Sequence, residues 1–542
     1  MLRTGSGLKE KPDPLLVLAA VLAAAVYLPR LGAPLLWDDR LVIAFNKALE
    51  AAPSWRLYLS EDYFSFSREI TWRPLATLSY QAMVGLFGLW PPALRAPGLL
   101  LHGFNAFLLG LILSRDGGTK RVSAAAAALF LIHPSHVETL QCVSFNEEPI
   151  ALAGILGMLL LHQGGHFWPA AGSFGLALLG KETALAGLPI VLLFDAWRGG
   201  VESLRRNRAG YVLYAVVLAA YAWVRFLLLP GPGSGMDLSA RLPTLERIGY
   251  SLQGAVTASR VAAFPVGLRL EYYALPPETP LGWLGWAAGA LACGAAAAWL
   301  WKALPRKDRL WPLLAVLFLL PVLNLVPTAV LSTRMMAERW LYLPLAGLCA
   351  ALALAVPRRA PLVGLVVFWG ACGLWRAADW ASDSRLWESL AEVYPWSAKA
   401  WEGLGEARFR EGDYPRSRAA FEEALDLRER KRDRLLAHYI PTAPPGTLAW
   451  RSPALYRWAG LAALETGEPV RAEEYLRDAL RLEPASVFTY RVLAYSSLKR
   501  GDPPQARVWQ KQGLSLEPND PFLSRLDQDI RAGRLSFRAD FR

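Results

Sequence analysis

The chain has 542 residues, of which 54% are hydrophobic and 19% charged, and its mean hydropathy is +0.24. This excludes an ordinary soluble enzyme, and the uneven distribution argues for two solvents: residues 14–378 carry apolar run after apolar run, while 379–542 are dense in Arg, Glu and Asp. Much of the net charge of +12 sits in short Arg/Lys clusters between apolar runs, where it sets topology and implies no nucleic-acid partner, and the four cysteines have neither disulfide nor metal spacing.

About 20 apolar residues are needed to cross a bilayer. After a cytoplasmic tail at 1–13, spans are predicted at 14–31, 97–114, 122–133, 148–162, 167–179, 182–196, 210–229, 281–301, 311–331, 338–356 and 361–377. Several are short, as expected of helices that line a cavity instead of facing lipid. The first reads as an anchor and not a cleaved signal peptide. The stretch 75–90 reads as an amphipathic element on the membrane surface. With Arg3, Lys9 and Lys11 inside, the basic loops 115-RDGGTKR-121, 198-RGGVESLRRNR-208, 302-KALPRKDR-309 and 357-PRR-359 all fall on the cytoplasmic side. Residues 32–96, 134–147, 230–280 and the C-terminal domain then lie outside.

The tail 379–535 repeats with a period of about 34 residues. Gly467 and Gly501 mark it, as do Pro484 and Pro518, and 412-GDY-414 reads as an earlier helix-to-helix turn. Trp401, Leu404, Gly405, Phe421 and Ala424, then Tyr456, Gly460, Ala472 and Ala479, then Tyr490, Ala494 and Ala506, place small or aromatic residues where paired helices cross. The pattern is tetratricopeptide-like, with a half-repeat near Trp387–Pro395 and an insertion centred on 440-IPTAPPG-446. The predicted fold class is therefore all-α: a polytopic transmembrane helix bundle followed by an α-α solenoid. Such arrays bind polypeptide, so a protein or peptide partner is expected here.

Candidate chemistry begins at 36-LWDDRLVIAFN-46. Two adjacent carboxylates, Asp38 and Asp39, push one pKa upward near lipid, which suits a general base; a solvated pair or a helix cap is the plainer reading. Polar groups recur at the same ends of other runs: Arg68, Glu69 and Arg73 in 61-EDYFSFSREITWRPL-75, His102 inside a span, and His133, His136 and Glu138 in 133-HPSHVETLQCVSFNEEP-149. Lys181 and Glu182 lie between two short spans, and Arg334, Glu338 and Arg339 in 334-RMMAERWLY-342 precede another. Ionisable groups so near hydrocarbon serve a site or one another. The H-x-x-H-x-E spacing lacks the i, i+4 histidines of zinc proteases, so helix-end hydrogen bonding is expected and no metal is assigned.

The order of these motifs resembles the GT-C superfamily of membrane glycosyltransferases, and within it the transmembrane tetratricopeptide-containing O-mannosyltransferases and their bacterial relatives. The segments that carry the resemblance are Trp37–Arg40, Arg73–Leu75, Leu101–Ala106, His133–Glu138, Gly180–Glu182 and Glu338–Pro344. The chain departs from that family at 144-SFNEE-148. The resemblance implies an inverting transfer of a mannose-like hexose from a polyprenyl-phosphate donor to a hydroxyl of an extracytoplasmic protein or glycan. It implies Asp38 or Asp39 as base; Arg339, Lys181, Arg73, Arg334 and Arg68 toward the donor phosphate; and Glu69, His102, His133, His136, Glu138, Glu182 and Glu338 shaping the site. A divalent metal is not expected. The Ala/Arg/Leu-rich composition points to a bacterial inner membrane, with the repeats on the periplasmic side. A non-catalytic scaffold and a lipid-linked-sugar flippase are the alternatives.

Overall fold

The computed structural model describes residues 12–229, 244–273, 275, 279–323, 334–430, 432–434, 437 and 452–531. Arg3, Lys9 and Lys11, the 440–446 insertion, parts of the 230–280 loop and the 311–331 span, and the side chain of Arg334 lie outside them. The chain divides into two compact units, Met1–Ser382 and Asp383–Arg542.

The first unit is a helical bundle, several of whose helices begin at a side-chain cap that accepts a first-turn N–H or at a proline that has no N–H to satisfy. Helix α1 (Pro14–Tyr27) starts on Asp13, whose carboxylate accepts from the Leu15 N–H at 2.9 Å. A surface helix α2 (Pro74–Phe87) precedes α3 (Pro91–Arg115), which begins with two prolines, several residues earlier than the apolar run alone indicates. Helix α4 (Lys120–Ile132) is capped by Thr119 and ends before Pro134, because the residue preceding proline is driven into extended backbone. After a short α5 (His136–Gln141) come α6 (Glu147–Gln163), α7 (Phe167–Gly180), α8 (Gly187–Arg206) and α9 (Arg208–Ala222).

Helix α10 (Thr244–Ala263) lies within the stretch predicted as loop 230–280; it alternates polar and apolar residues too closely to register as an apolar run. Helices α11 (Pro280–Ala303), α12 (Leu310–Leu319), α13 (Tyr342–Ala355) and α14 (Arg359–Asp379) complete the unit. Among the described residues the single strand pairing is antiparallel, β1 (Tyr272–Tyr273) with β2 (Arg334–Met336).

Seven described helical segments are long and apolar enough to cross a membrane: Pro91–Arg115, Val143–Gln163, Glu182–Arg206, Arg208–Leu228, Pro280–Ala303, Glu338–Ala355 and Arg359–Asp379. Pro14–Arg30 and Phe167–Gly180 are apolar but shorter. The short α4 packs against α1, α3 and α13, and its Ala125–Ala128 run is buried. Small residues permit such contacts where no hydrophobic drive separates helix from lipid. At Gly347 on α13, a Cβ would stand 2.6 Å from the Trp311 carbonyl oxygen of α12. At Gly154 on α6 it would meet Ala177 of α7 at 2.6 Å.

The second unit is a stack of helical hairpins. After α15 (Asp383–Val393) the pairs are α16 (Ala398–Arg410) with α17 (Tyr414–Glu429), α18 (Pro453–Glu465) with α19 (Pro469–Leu482), and α20 (Val487–Lys499) with α21 (Pro503–Leu516), followed by α22 (Pro521–Arg531). Each hairpin turns on a glycine in left-handed backbone: Gly412 at φ +84°, Gly467 at +83° and Gly501 at +78°. Asp413 and Asp502 then cap the next helix by accepting from the N–H groups of Arg416 and Gln505. The small residues of the repeat sit at the crossings, with Gly405 against the Phe421 ring and Gly460 against Leu476. Phe421, Ala424, Tyr456, Ala459 and Ala479 share one core cluster, and Ala472, Leu476 and Val492 the next.

Candidate active site

The chain leaves α1 through a tight segment and reaches Trp37, whose φ of +49° is left-handed. A bulky residue holds that conformation only where its surroundings impose it. Here the Trp37 ring lies edge-on to Phe145 (5.6 Å) and tilted against Trp380 (6.3 Å). The next two residues diverge. Asp39 points inward and is fully buried: its carboxylate accepts from the backbone N–H of Ser144 (2.7 Å) and Val143 (2.9 Å) and from the Cys142 thiol (3.2 Å). Burial raises the Asp39 pKa, and the two N–H groups and the nearby Arg95 guanidinium pull it partly back. Asp38 is partly exposed, has no hydrogen bond or ion pair with a described residue, and lies within electrostatic range of the Arg339 guanidinium.

Arg95, near the start of α3, fixes the start of this loop. Its Nε donates to the Gln141 carbonyl at 2.8 Å, Nη1 to Leu31 (2.9 Å) and Ala33, and Nη2 to Pro34 (2.8 Å). The planar five-donor fork thus ties residues 31–34 to the end of α5. Arg95 was not singled out from the sequence; a lone Arg at the mouth of an apolar run is its signal.

Arg339 forms the opposite wall. Its guanidinium stands over the Phe145 ring at 4.3 Å and the Trp37 ring at 5.5 Å, and Nη1 pairs with Glu138. The second Glu138 oxygen is buried without a hydrogen-bond partner among the described residues. Beyond it lies a second charged group. Lys181 donates to Glu147 (2.6 Å) and Glu148 (2.5 Å), while Arg73 makes a two-pronged contact with Glu182 (2.9 and 2.6 Å) and also pairs with Glu147. The structure therefore places Arg73 and Lys181 inside carboxylate cages instead of leaving them open to an anion. Glu147 and Glu148, the acids of the 144–148 departure, are the partners the sequence did not identify.

Glu69 borders this group, with Oε2 buried and unpartnered. Burial raises its pKa to about 8, with Glu147 and Glu182 adding to the rise against the pull of Arg73. Neighbouring Arg68 is exposed, also in left-handed backbone (φ +58°), and lines an open cavity of about 390 Å³ with Glu69, Phe64 and Ile70.

The histidines pack as rings. His136 sits among Phe130 (4.7 Å), Tyr342 (4.7 Å) and His102 (4.9 Å). His102 bonds the Tyr342 hydroxyl (2.9 Å) and the Leu131 carbonyl, and His133 bonds the Ala262 carbonyl (3.1 Å). Glu338 accepts from Arg376 (3.0 Å), the Arg269 N–H (2.6 Å) and the Tyr272 hydroxyl (3.1 Å), which ties β1 and α14 together. His102, His133, His136 and Glu338 thus link helices of the bundle to one another through ring contacts and hydrogen bonds.

Fold and site together define a class: a multi-helix membrane domain with a buried carboxylate–cation centre directly after its first helix, joined to helical repeats. No protein-family model matches the chain. Two curated relatives from Drosophila melanogaster are similar to part of it. Protein O-mannosyl-transferase Tmtc2 is 28% identical over 233 residues, covering 39% of this chain and 25% of that protein. Protein O-mannosyl-transferase Tmtc1 is 26% identical over 182 residues, covering 33% of this chain and 20% of that protein. The chain thus spans about a quarter or less of the length of these relatives. Among solved structures, a chain of the crystal structure of the APC/C hetero-tetramer Cut9-Hcn1 aligns over 88% of this chain and 96% of its own at 12% identity, with a TM-score of 0.24 that carries no argument.

Proposed function

We propose that this protein is an inverting glycosyltransferase that moves a hexose, mannose-like, from a polyprenyl-phosphate donor to a hydroxyl of an extracytoplasmic protein, in a bacterial inner membrane. The observation that carries the reading is the division of labour between the adjacent carboxylates. Asp39 is buried and held by two backbone N–H donors, while Asp38 is partly exposed and within electrostatic range of Arg339. Asp38 is the base: it takes the proton of the acceptor hydroxyl as that oxygen forms its bond to the anomeric carbon. The bond from that carbon to the phosphate oxygen breaks, and the lipid phosphate leaves with the electron pair. Charge on the leaving group is met by cations and not by a proton donor. Arg339, shared with one carboxylate only, and the exposed Arg68 are the cations suited to it. Arg73 and Lys181 assemble the wall that positions them. The two O-mannosyl-transferase relatives support the sugar and acceptor class. The repeats, on the periplasmic side, bind the acceptor protein or a partner of it.

The test supplies detergent-purified protein with polyprenyl-phosphate-linked mannose, glucose or N-acetylhexosamine and a mixture of periplasmic proteins. Sugar transfer to protein is expected with the mannose donor and is lost in Asp38→Asn. Donor binding without transfer from any donor would replace this reading with a flipping or scaffolding role.

A further inference from the structure

A second polar chamber lies at the other end of the bundle. On α3, Arg95 and Arg115 are separated by about 30 Å of helix at 1.5 Å per residue. On α6, Glu148 is at the first turn and His162 at the last, and Glu182–Arg206 likewise starts at the charged centre and runs to Arg198. Three helices thus connect the Asp39 centre to a cavity of about 1070 Å³ between the ends of α3, α6 and α8, large for a small-molecule site. Its lining combines Arg115, Arg198 and Arg206 with the apolar Leu160, Phe167 and Phe194.

One wall is a fixed polar network. Asp195 accepts from Asn207 (2.7 Å) and the Tyr211 hydroxyl and bonds His162 at 2.8 Å, while His162 bonds the Tyr214 hydroxyl at 2.9 Å. All three meet one oxygen of the carboxylate, Oδ2, which fixes its position. Arg198 is neutralised by Asp116, with Asp308 3.8 Å away. The other two arginines differ. Arg115 donates only to the Leu160 carbonyl (3.2 Å) and Arg206 only to the Ser203 hydroxyl (3.4 Å), and neither has a carboxylate partner among the described residues. Two guanidinium groups without counter-ions, facing a roomy cavity with an apolar side, match a phosphate joined to an apolar body. The cavity opens where helix ends carry the basic loops, the depth at which lipid headgroups lie.

We infer that this chamber binds the headgroup of a phospholipid with net negative charge between Arg115 and Arg206, a zwitterionic headgroup carrying its own cation being disfavoured there. The test uses the full-length protein in nanodiscs of mixed phosphatidylglycerol and phosphatidylcholine, with native mass spectrometry of the lipid retained after ejection into detergent. Phosphatidylglycerol should be retained about tenfold over phosphatidylcholine, and Arg115→Gln with Arg206→Gln should remove that preference, as loss of about 1.4 kcal/mol implies. Arg205→Gln with Arg208→Gln, which removes equal charge from exposed positions outside the lining, should keep it. Inorganic phosphate is titrated in parallel: competition at millimolar concentration shows that the phosphate group alone is recognised, and no competition shows that the apolar body contributes. Equal retention of the two lipids, or equal loss in both double variants of folded protein, would overturn the assignment.

Discussion

The Ser144 backbone N–H donates to the Asp39 carboxylate at 2.7 Å, so the segment after α5 and the loop after α1 share one charged hinge. Because Val143 and Cys142 donate to the same buried carboxylate, Asp39 is held by three donors away from solvent, while the adjacent Asp38 is partly exposed. Asp38→Asn should lower sugar transfer by about 10²–10⁴-fold with little change in melting temperature, as loss of a general base does. Asp39→Asn puts an amide NH2 where one carboxylate oxygen accepts a backbone N–H, that of Val143 or of Ser144, and should lower stability by about 2 kcal/mol. A transfer assay paired with thermal unfolding separates the two. The reverse pattern would exchange their roles.

Arg95 carries the geometry of the same loop. Arg95→Met leaves the carbonyls of Leu31, Ala33, Pro34 and Gln141 without their buried donor and should cost at least about 3 kcal/mol. Arg95→Lys supplies one point charge where a planar fork is used and should recover less than half of that loss. Full recovery by Lys would mean that charge, not fork geometry, holds the loop. Thermal unfolding of both variants in detergent reads the difference.

The fold was legible because it rests on patterns that solvent enforces. Apolar runs became helices, and the Gly467 and Gly501 period became hairpin turns, since only glycine accepts the left-handed φ there without strain. The ion pairs were less legible than the charged residues themselves. Arg73 pairs with Glu182, and Arg339 with Glu138, but Glu147 and Glu148, the partners of Lys181, come from the start of α6, and Arg95 from the start of α3. Pairings of that kind depend on how helices far apart in sequence are placed side by side, which local periodicity does not encode. The division between Asp38 and Asp39 likewise depends on the left-handed turn at Trp37, which no residue preference announces.

Lys181 tests whether the charged wall behaves as one unit. Lys181→Met strands Glu148 in a buried position, leaves Glu147 with Arg73 alone, and should destabilise by about 3–5 kcal/mol. Adding Glu148→Gln removes one stranded charge, so the double variant should be more stable than Lys181→Met alone. A coupling of about 1–3 kcal/mol in the double-mutant cycle is expected. Strict additivity of the two substitutions would show that the pair is not energetically linked.

In the repeats, Gly501→Ala places a Cβ on backbone at φ +78° and should cost about 1 kcal/mol. Gly405→Ala meets the Phe421 ring at 2.7 Å inside the first hairpin and should cost more, about 1–3 kcal/mol, as overpacking does. Hydrogen exchange across α16–α21 locates each effect. Loss of protection spread evenly over all three hairpins after either change would contradict the hairpin-by-hairpin packing.

Glu69 gives a pH dependence with a definite sign. Its folded pKa is raised to about 8 by burial, against about 4.3 for a free glutamate, so the folded state binds more protons than the unfolded state between these values. Its contribution is therefore fully present below the unfolded pKa and is lost as pH rises through about 8. Glu69→Gln keeps a neutral side chain of the same shape at every pH. At about pH 4 the variant and the parent should unfold at similar temperatures, and by pH 9 the variant should be the more stable. The measurement is the melting temperature of both proteins in detergent across pH 4–9. Parallel curves over that range would show that Glu69 is ionised in the folded protein, with Arg73 outweighing burial.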